Sequence, residues 1–286
     1  MNNVKQIILK EDKNMKKFKT LLIVVMILVT ALVATLALVG CEKGNYLKVV
    51  TNAEFDPFEY MNTETGQIEG FDIDYINAIA KQMGYDGAKV TSIDFDSVVP
   101  SVQKSKKYDV AIAGLTVTEE RAQQVDFTNT YYDAGQTIIY KGDVINFENE
   151  DEMWNFLKGK KIGVAKGYTG DILIQNAMKE GGKLFDSGAD RKVFDNGALA
   201  VTALAGGERD VVVIDNAPAK ALAKTFADKG VKVVTNVAMG SEKYAIAVKK
   251  GNTELLDKIN TAMLVLEENG TYMQIWNKYF DKESNL

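Results

Sequence analysis

Two successive runs of alternating strand and helix patterns constrain the fold of this chain more than any other feature. The first run lies within residues 46–128 and the second within residues 151–234. A long apolar strand pattern at residues 131–141 comes between them. Alternation with connections of this length produces parallel sheets covered by helices. The pattern therefore predicts an α/β protein with two lobes.

The last part of the chain adds a strand pattern at residues 244–248 and two helix patterns at residues 253–268 and 271–279. These elements have no sheet of their own in the pattern. We therefore expect them to return to the first lobe, which would connect the two lobes by two crossings of the chain.

The first 40 residues have the features of a secretion signal. Residues 13–19 are basic, residues 21–39 are uncharged and almost wholly apolar, and Gly40 precedes Cys41. This order predicts a lipoprotein-type signal peptide over residues 1–40, with Cys41 as the lipidated residue. The alternative is an uncleaved membrane anchor, because the apolar run is just long enough to span a bilayer. Met15 is a second candidate for the first residue of the translated protein. Whether the signal peptide is cleaved or stays as an anchor, the rest of the chain is expected to lie on the outer side of the membrane.

Composition excludes several kinds of function. The chain has no His, so Ser-His-Asp and Cys-His catalysis and most zinc sites are excluded. Its single Cys cannot form an internal disulfide, and we expect no cofactor and no metal. The net charge of −5 argues against a nucleic-acid partner. These properties favour a secreted capture protein that acts as a monomer.

One stretch, residues 113–128, carries the chemistry of an anion site. Gly114 follows an apolar strand pattern and allows a turn or a close approach of a ligand to the backbone. Thr118 is placed to cap a short helix, and Arg121 lies on its first turn. A guanidinium beside a helix start is suited to hold a carboxylate. The alternative is that Arg121 is an ordinary solvated surface charge.

The same stretch resembles the first-lobe signature of the family 3 solute-binding proteins, the amino-acid-binding proteins of ABC transporters. That signature reads A-G-x-T-x-T-x-E-R, followed by D-F-[ST]. The chain matches it at Gly114, Thr116, Thr118, Glu120, Arg121, Asp126, Phe127 and Thr128. Further similarity lies at residues 55–60, 70–74, 163–164, 210–215 and 268–272.

The resemblance implies a two-lobe, type II periplasmic-binding-protein-like fold with a double-strand hinge and a cleft between the lobes. It places the hinge strands near residues 135–141 and 236–243. Lobe 1 would comprise residues 46–137 and 238–286, and lobe 2 residues 138–237.

The resemblance also implies an anion clamp for the carboxylate of an amino acid. Arg121 would be its cation, assisted by the hydroxyl or N–H group of Thr116. Thr169 and Gly170, at the start of a helix in lobe 2, would add backbone N–H donors.

The remaining site positions concern the ammonium group and the side chain of the ligand. Asp215, at the carboxyl end of its strand, would accept the ammonium group together with the carbonyl of Gly114. Asp215 could instead cap the following helix. Phe55 and Phe95 would form aromatic walls around the ligand side chain, or belong to the ordinary core.

Two positions bear on specificity. Asn52 stands where many relatives have an Asp that meets a distal cationic group. Lys166 stands where glutamine binders contact the ligand side chain, and its charge would repel a cationic side chain. Both favour a polar neutral, glutamine-like amino acid, whereas an inward-pointing Glu54 would reverse that preference.

The function implied is capture of a free L-amino acid by lobe closure and its delivery to the permease subunits of an ABC transporter. The protein would be held to the outer face of the cell membrane by the lipid on Cys41. One alternative is an extracytoplasmic dehydratase-like enzyme, with Glu54 as its nearest candidate acid. A second alternative is a sensor domain, which would need a separate signalling partner.

Overall fold

Residues 44–280 are described by a computed structural model of the protein. The predicted signal peptide and Cys41 lie outside these residues. In the described part of the chain, no helix is long and apolar enough to cross a membrane.

The strands of the described residues follow the predicted order. They are β1 (Tyr46–Thr51), β2 (Glu54–Phe55), β3 (Glu59–Met61), β4 (Ile68–Glu69), β5 (Gly87–Ser92), β6 (Val110–Ala111), β7 (Val125–Lys141), β8 (Lys161–Ala165), β9 (Asp190–Phe194), β10 (Val211–Asp215), β11 (Val231–Val233) and β12 (Met239–Lys249).

The helices alternate with these strands. They are α1 (Phe71–Gln82), α2 (Phe95–Lys104), α3 (Glu119–Gln124), α4 (Glu150–Leu157), α5 (Thr169–Ala177), α6 (Gly197–Ala205), α7 (Asn216–Thr225), α8 (Thr253–Glu268) and α9 (Thr271–Tyr279). A short 3₁₀ turn, Ala227–Lys229, follows α7.

One large sheet runs through the described part of the chain in the order β5-β1-β6-β12-β7-β10-β8-β9, and β11 pairs with β7. At one end β1 is parallel to β5 and β6, and at the other end β8 is parallel to β9 and β10. The two middle strands, β7 and β12, are antiparallel to each other. The expectation of parallel sheets is thus correct only for the two ends. The sheet as a whole is mixed, because two long strands join its halves.

The long strands β7 and β12 connect the two halves. The first part of β7 pairs with β12, and its last part, from Gln136 to Tyr140, pairs with β10. The other end of β12 reaches β6, where Val248 is opposite Val110. Helices α8 and α9 then pack against α1. The chain therefore crosses between the halves twice, and the lobe bounds given above stay a prediction.

The short strands β2 and β3 form a small separate sheet with β4. The Asp56–Pro57 peptide bond, which is cis, lies in the turn between them. Strand β12 begins at Met239, five residues before the predicted start, because its polar first half pairs with β7 instead of contributing to an apolar core.

Candidate functional site

The short helix α3 positions the side chain of Arg121, and the backbone N–H group of Arg121 takes part in the N-cap of this helix. The Thr118 hydroxyl accepts a hydrogen bond from the Arg121 N–H at 3.2 Å, which satisfies one free donor at the start of α3. Arg121 is 8% exposed. It is therefore a buried cation and not the solvated surface charge of the alternative interpretation.

The Arg121 guanidinium contacts both halves of the molecule. Its Nη1 donates to the Thr116 carbonyl at 2.8 Å, and its Nη2 donates to the Gly167 carbonyl at 3.0 Å. Its Cζ lies 5.3 Å from the centre of the Phe95 ring, within the range of a cation–π contact. Burial lowers the pKa of the Arg121 guanidinium, and the negative charges of Asp215 and Glu242 oppose that shift.

Asp215 ends β10 and is 2% exposed. It occupies the N-cap position of α7, but its side chain makes no capping hydrogen bond. Instead it accepts a hydrogen bond from the Tyr244 hydroxyl at 2.6 Å. The capping alternative is therefore wrong for the side chain, which faces Tyr244 on β12.

The environment of Asp215 favours its protonated form. Burial raises the pKa of Asp215 to about 7, and the nearby charge of Glu242 adds to the rise, while the hydrogen bond from Tyr244 opposes it. A carboxyl with this pKa exchanges its proton near neutral pH. An incoming cationic group would favour the ionised form.

The buried side chain of Asp72 accepts a hydrogen bond from the backbone of Gly114. The Gly114 N–H donates to Asp72 Oδ2 at 2.8 Å, and the Tyr131 hydroxyl donates to the same oxygen, also at 2.8 Å. The φ angle of Gly114 is +50°, and a Cβ at this position would lie 2.5 Å from the Phe55 ring. Glycine is therefore needed both for the turn and for the close approach of Phe55.

The two predicted aromatic walls are separated by a third ring. Tyr168 lies 5.3 Å from Phe55 and 4.7 Å from Phe95 between ring centres, with edge-on geometry in both pairs. Its hydroxyl is 3.4 Å from Asn52 Oδ1. Asn52 is 4% exposed, and its Nδ2 donates to the Ile93 carbonyl at 3.0 Å. Three of the predicted site residues thus surround one side chain from the other half.

The hydroxyls of Thr116 and Thr169 meet at a residue that sequence reasoning missed. Both donate to Glu242 Oε2, at 2.7 Å and 2.8 Å respectively. Gln136 Nε2 donates to Glu242 Oε1 at 3.0 Å and lies 3.1 Å from the Thr169 hydroxyl. Gly170 packs against this group, because a Cβ there would lie 2.6 Å from Gln136 Oε1.

Lys166 lies at the rim of the site. It forms an ion pair with Asp96 at 2.7 Å, and its side chain is 59% exposed. A cavity of about 240 Å³ adjoins this pair. Its lining residues are Glu54, Asp94, Phe95, Asp96, Lys166, Asp195 and Asn196. The charge of Lys166 is balanced by Asp96, which weakens the expected repulsion of a cationic side chain.

Sequence reasoning missed four residues around the site, namely Gln136, Tyr168, Glu242 and Tyr244. Glu242 and Tyr244 are two positions apart on β12, so they lie on the same face of the strand. A strand pattern extended back to residue 239 would have placed both of them beside the cleft. No group of three or more His, Cys, Asp or Glu side chains suited to a metal ion occurs among residues 44–280.

Comparisons with known proteins identify the family of this chain. The family described as bacterial extracellular solute-binding proteins, family 3, matches residues 47–282. The L-arginine-binding protein of Pseudomonas aeruginosa is 34% identical over 240 residues, which cover 82% of this chain and 87% of that protein. The ABC transporter glutamine-binding protein GlnH of Bacillus subtilis is 32% identical over 242 residues, 82% of each chain.

A solved structure shows the same fold. It is an ancestral arginine-binding protein bound to arginine, with a TM-score of 0.73 and 42% sequence identity. The match covers 82% of this chain and 98% of that one. At this level of similarity the two-lobe, type II fold of this chain is shown.

Proposed function

Because the chain belongs to family 3 of the bacterial extracellular solute-binding proteins, we propose that it captures a free amino acid for an ABC transporter. One observation supports this most directly. A buried cation, Arg121, and a buried acid, Asp215, lie in one cleft that is formed by both halves of the molecule. The two charges match the carboxylate and the ammonium group of an α-amino acid.

The proposed site keeps Gly114, Arg121, Thr169, Gly170 and Asp215 in their predicted roles. Arg121 and the backbone N–H groups of Thr169 and Gly170 hold the carboxylate, and Asp215 and the Gly114 carbonyl hold the ammonium group. Hinge bending at β7 and β12 brings lobe 1 (residues 46–137 and 238–286) and lobe 2 (residues 138–237) together on the ligand. The permease subunits of the transporter are the expected partners, and the binding protein acts as a monomer.

Two amino-acid classes are candidates for the ligand. A glutamine-like ligand is favoured by the uncharged, buried Asn52 and by Lys166 at the rim. An arginine-like ligand is favoured by the Lys166–Asp96 ion pair, which balances the rim lysine. The names of the two relatives point to one class each, because one is an arginine-binding and the other a glutamine-binding protein.

The proposed location is the outer face of the cell membrane, with a lipid anchor on Cys41 after cleavage of the signal peptide at residues 1–40. The proposed mechanism is equilibrium binding without bond chemistry. In the enzymatic alternative the candidate acid was Glu54. That residue is exposed and accepts a hydrogen bond from Asn196 at 3.3 Å, which gives it no evident acid role.

A thermal-shift screen of the purified protein against the twenty amino acids tests this proposal. A ligand that binds the folded state alone raises the melting temperature by mass action. We expect a large shift with glutamine or arginine, and its loss in Arg121→Ala and Asp215→Ala. If no amino acid shifts the melting temperature of the wild-type protein, the proposal is wrong.

A further inference from the structure

Glu242 connects three separate elements at the centre of the cleft. It lies on β12 and accepts hydrogen bonds from Thr116, which follows β6, and from Thr169, which begins α5. It also accepts a hydrogen bond from Gln136 on β7. One carboxylate therefore holds side chains from both halves of the molecule and from the other crossing strand.

These hydrogen bonds determine whether each of the two threonine hydroxyls can donate or accept a further hydrogen bond. A threonine hydroxyl has one proton to donate. Thr116 and Thr169 both direct that proton to Glu242, so neither hydroxyl can donate it to a ligand carboxylate. Thr169 also accepts from Gln136 at 3.1 Å, whereas the lone pairs of Thr116 stay suited to accept from an ammonium group.

Glu242 also adds a second negative charge to a site with one cation. The titratable groups that face Asp215 are Tyr244 and Glu242 from β12, Arg121 from α3, and Tyr168 next to α5. Of these, Glu242 is the acid whose charge opposes ionisation of Asp215. Burial is the larger cause of the raised pKa of Asp215, and the charge of Glu242 adds to it.

We propose that Glu242 is a positioning residue for the ammonium group of the ligand, a role that rests on the proposed amino-acid binding. It orients the Thr116 hydroxyl as an acceptor. Its charge also adds to the burial that favours a proton on Asp215 until the ligand ammonium replaces that proton. Binding then releases that proton from the Asp215 carboxyl to the buffer. Arg121 and backbone N–H groups, rather than the two threonine hydroxyls, hold the ligand carboxylate.

Calorimetry in buffers of different ionisation enthalpy counts the protons released on binding. The probes are L-arginine and L-glutamine, titrated into the wild-type protein between about pH 5.5 and pH 8. We expect release of most of one proton per ligand at about pH 6, and an affinity about tenfold lower at pH 6 than at pH 8. We expect Glu242→Gln to release fewer protons at pH 6 and to have a flatter affinity profile.

Two further variants separate charge from geometry. Glu242→Asp keeps the charge but shortens the side chain, so proton release is retained while the hydrogen bonds to Thr116 and Thr169 weaken and affinity falls. Glu254→Gln makes the same chemical change on exposed α8 and is expected to behave like the wild-type protein. An unchanged proton count and pH profile in Glu242→Gln would overturn the proposal.

A titration that needs no ligand distinguishes this inference from the proposed function. Carbon-13 NMR of the carboxyl groups reports the protonation of Asp215 in the ligand-free protein. We expect the midpoint for Asp215 at about pH 7 in the wild-type protein and a clearly lower midpoint in Glu242→Gln. If none of the twenty amino acids binds, the proposed function fails, whereas an equal midpoint for Asp215 in both proteins contradicts the role of Glu242.

Discussion

Arg121 shows how one side chain organises the site at the scale of a residue. A guanidinium presents five N–H donors in a planar fork. Two of its nitrogens contact the carbonyls of Thr116 and Gly167, on opposite sides of the cleft. The same group therefore contacts both sides of the cleft, and in the proposed site it supplies the positive charge for a ligand carboxylate.

Replacing Arg121 by Lys tests whether the fork matters beyond the charge. A lysine ammonium keeps the charge but lacks the planar geometry that reaches both carbonyls and a carboxylate together. We expect the affinity for the amino acid to fall about 100-fold in Arg121→Lys, measured by calorimetry. Arg209→Lys, at an ion pair with Asp190 outside the candidate site, is the matched control and should bind normally. Wild-type affinity in Arg121→Lys would contradict the assignment.

Gly170 offers a second test at the residue scale. A Cβ at this position would lie 2.6 Å from Gln136 Oε1 and 2.9 Å from the Val213 carbonyl. Gly170→Ala therefore forces the start of α5 away from β7 and β10, which displaces the backbone N–H groups of the proposed carboxylate clamp. We expect a loss of affinity of about tenfold or more, because misplaced donors weaken a buried charge-assisted contact.

Gly206→Ala is the control for this change. Its φ angle is not positive, and its nearest neighbour, the Thr202 carbonyl oxygen, is 3.5 Å from the added Cβ. This variant should bind as the wild-type protein does. If Gly170→Ala keeps full affinity while it remains folded, the start of α5 is not part of the site.

At the scale of elements, the six-residue helix α3 depends on its cap. So short a helix has little stability of its own, and its hydrogen bond from the Arg121 N–H to the Thr118 hydroxyl is one of its few fixed contacts. Helix α3, which carries Arg121, therefore depends strongly on its cap and on contacts with the rest of the fold.

Removing the cap tests this dependence. Thr118→Ala should lower the free energy of unfolding by about 1 kcal/mol, measured by urea denaturation, and should also weaken amino-acid binding. Asn149→Ala removes an equivalent cap from α4, whose Asn149 side chain accepts from the Glu152 N–H. That variant should lose similar stability without losing affinity. Equal affinities in the two variants would show that α3 is held by its other contacts.

The two strands that cross between the halves, β7 and β12, also contribute side chains to the candidate site. Gln136 on β7 and Glu242 on β12 contact each other and the start of α5. The strands that join the halves thus also line the site. Because of this arrangement, a change in the relative position of the halves changes the hydrogen bonds of the candidate site directly.

At the scale of the whole molecule, buried acids give the stability an unusual pH dependence. Asp72 and Glu59 are both fully buried and lie in the core of the first half. Burial raises the pKa of Asp72 to about 6, although the hydrogen bonds that Asp72 accepts lower it. Burial also raises the pKa of Glu59 well above its usual value. Asp215 adds a third raised pKa, of about 7.

The sign of the effect follows from proton binding. The folded protein keeps protons on these carboxyls that the unfolded chain releases near pH 4, so the free energy of unfolding falls as pH rises from about 5 to about 7. Urea denaturation of the ligand-free protein at several pH values measures this slope. Asp215→Asn should reduce the slope, and Asp133→Asn, at an exposed ion pair with Lys243, should leave it unchanged. A stability that rises with pH across this range would contradict the assignment.

Much of this organisation could be predicted from the sequence. The alternation of strand and helix patterns predicted an α/β protein, and the helices predicted at residues 253–268 and 271–279 have the predicted bounds. The cap and the cation of α3 could be predicted from Thr118 and Arg121 alone, because capping acts over three residues. Composition excluded histidine-dependent chemistry, and the motif at residues 113–128 indicated the family.

Only the tertiary structure decided which side chains meet across the cleft. The sequence near Asp215 allowed its side chain either to cap the following helix or to face the cleft. In the structure the side chain contacts the Tyr244 hydroxyl. Tyr168 comes to lie between Phe55 and Phe95, and Glu242 comes to hold two hydroxyls far away in the chain, for the same reason. Local propensities depend on neighbours a few residues apart, whereas these contacts depend on how two long strands place the halves of the molecule against each other.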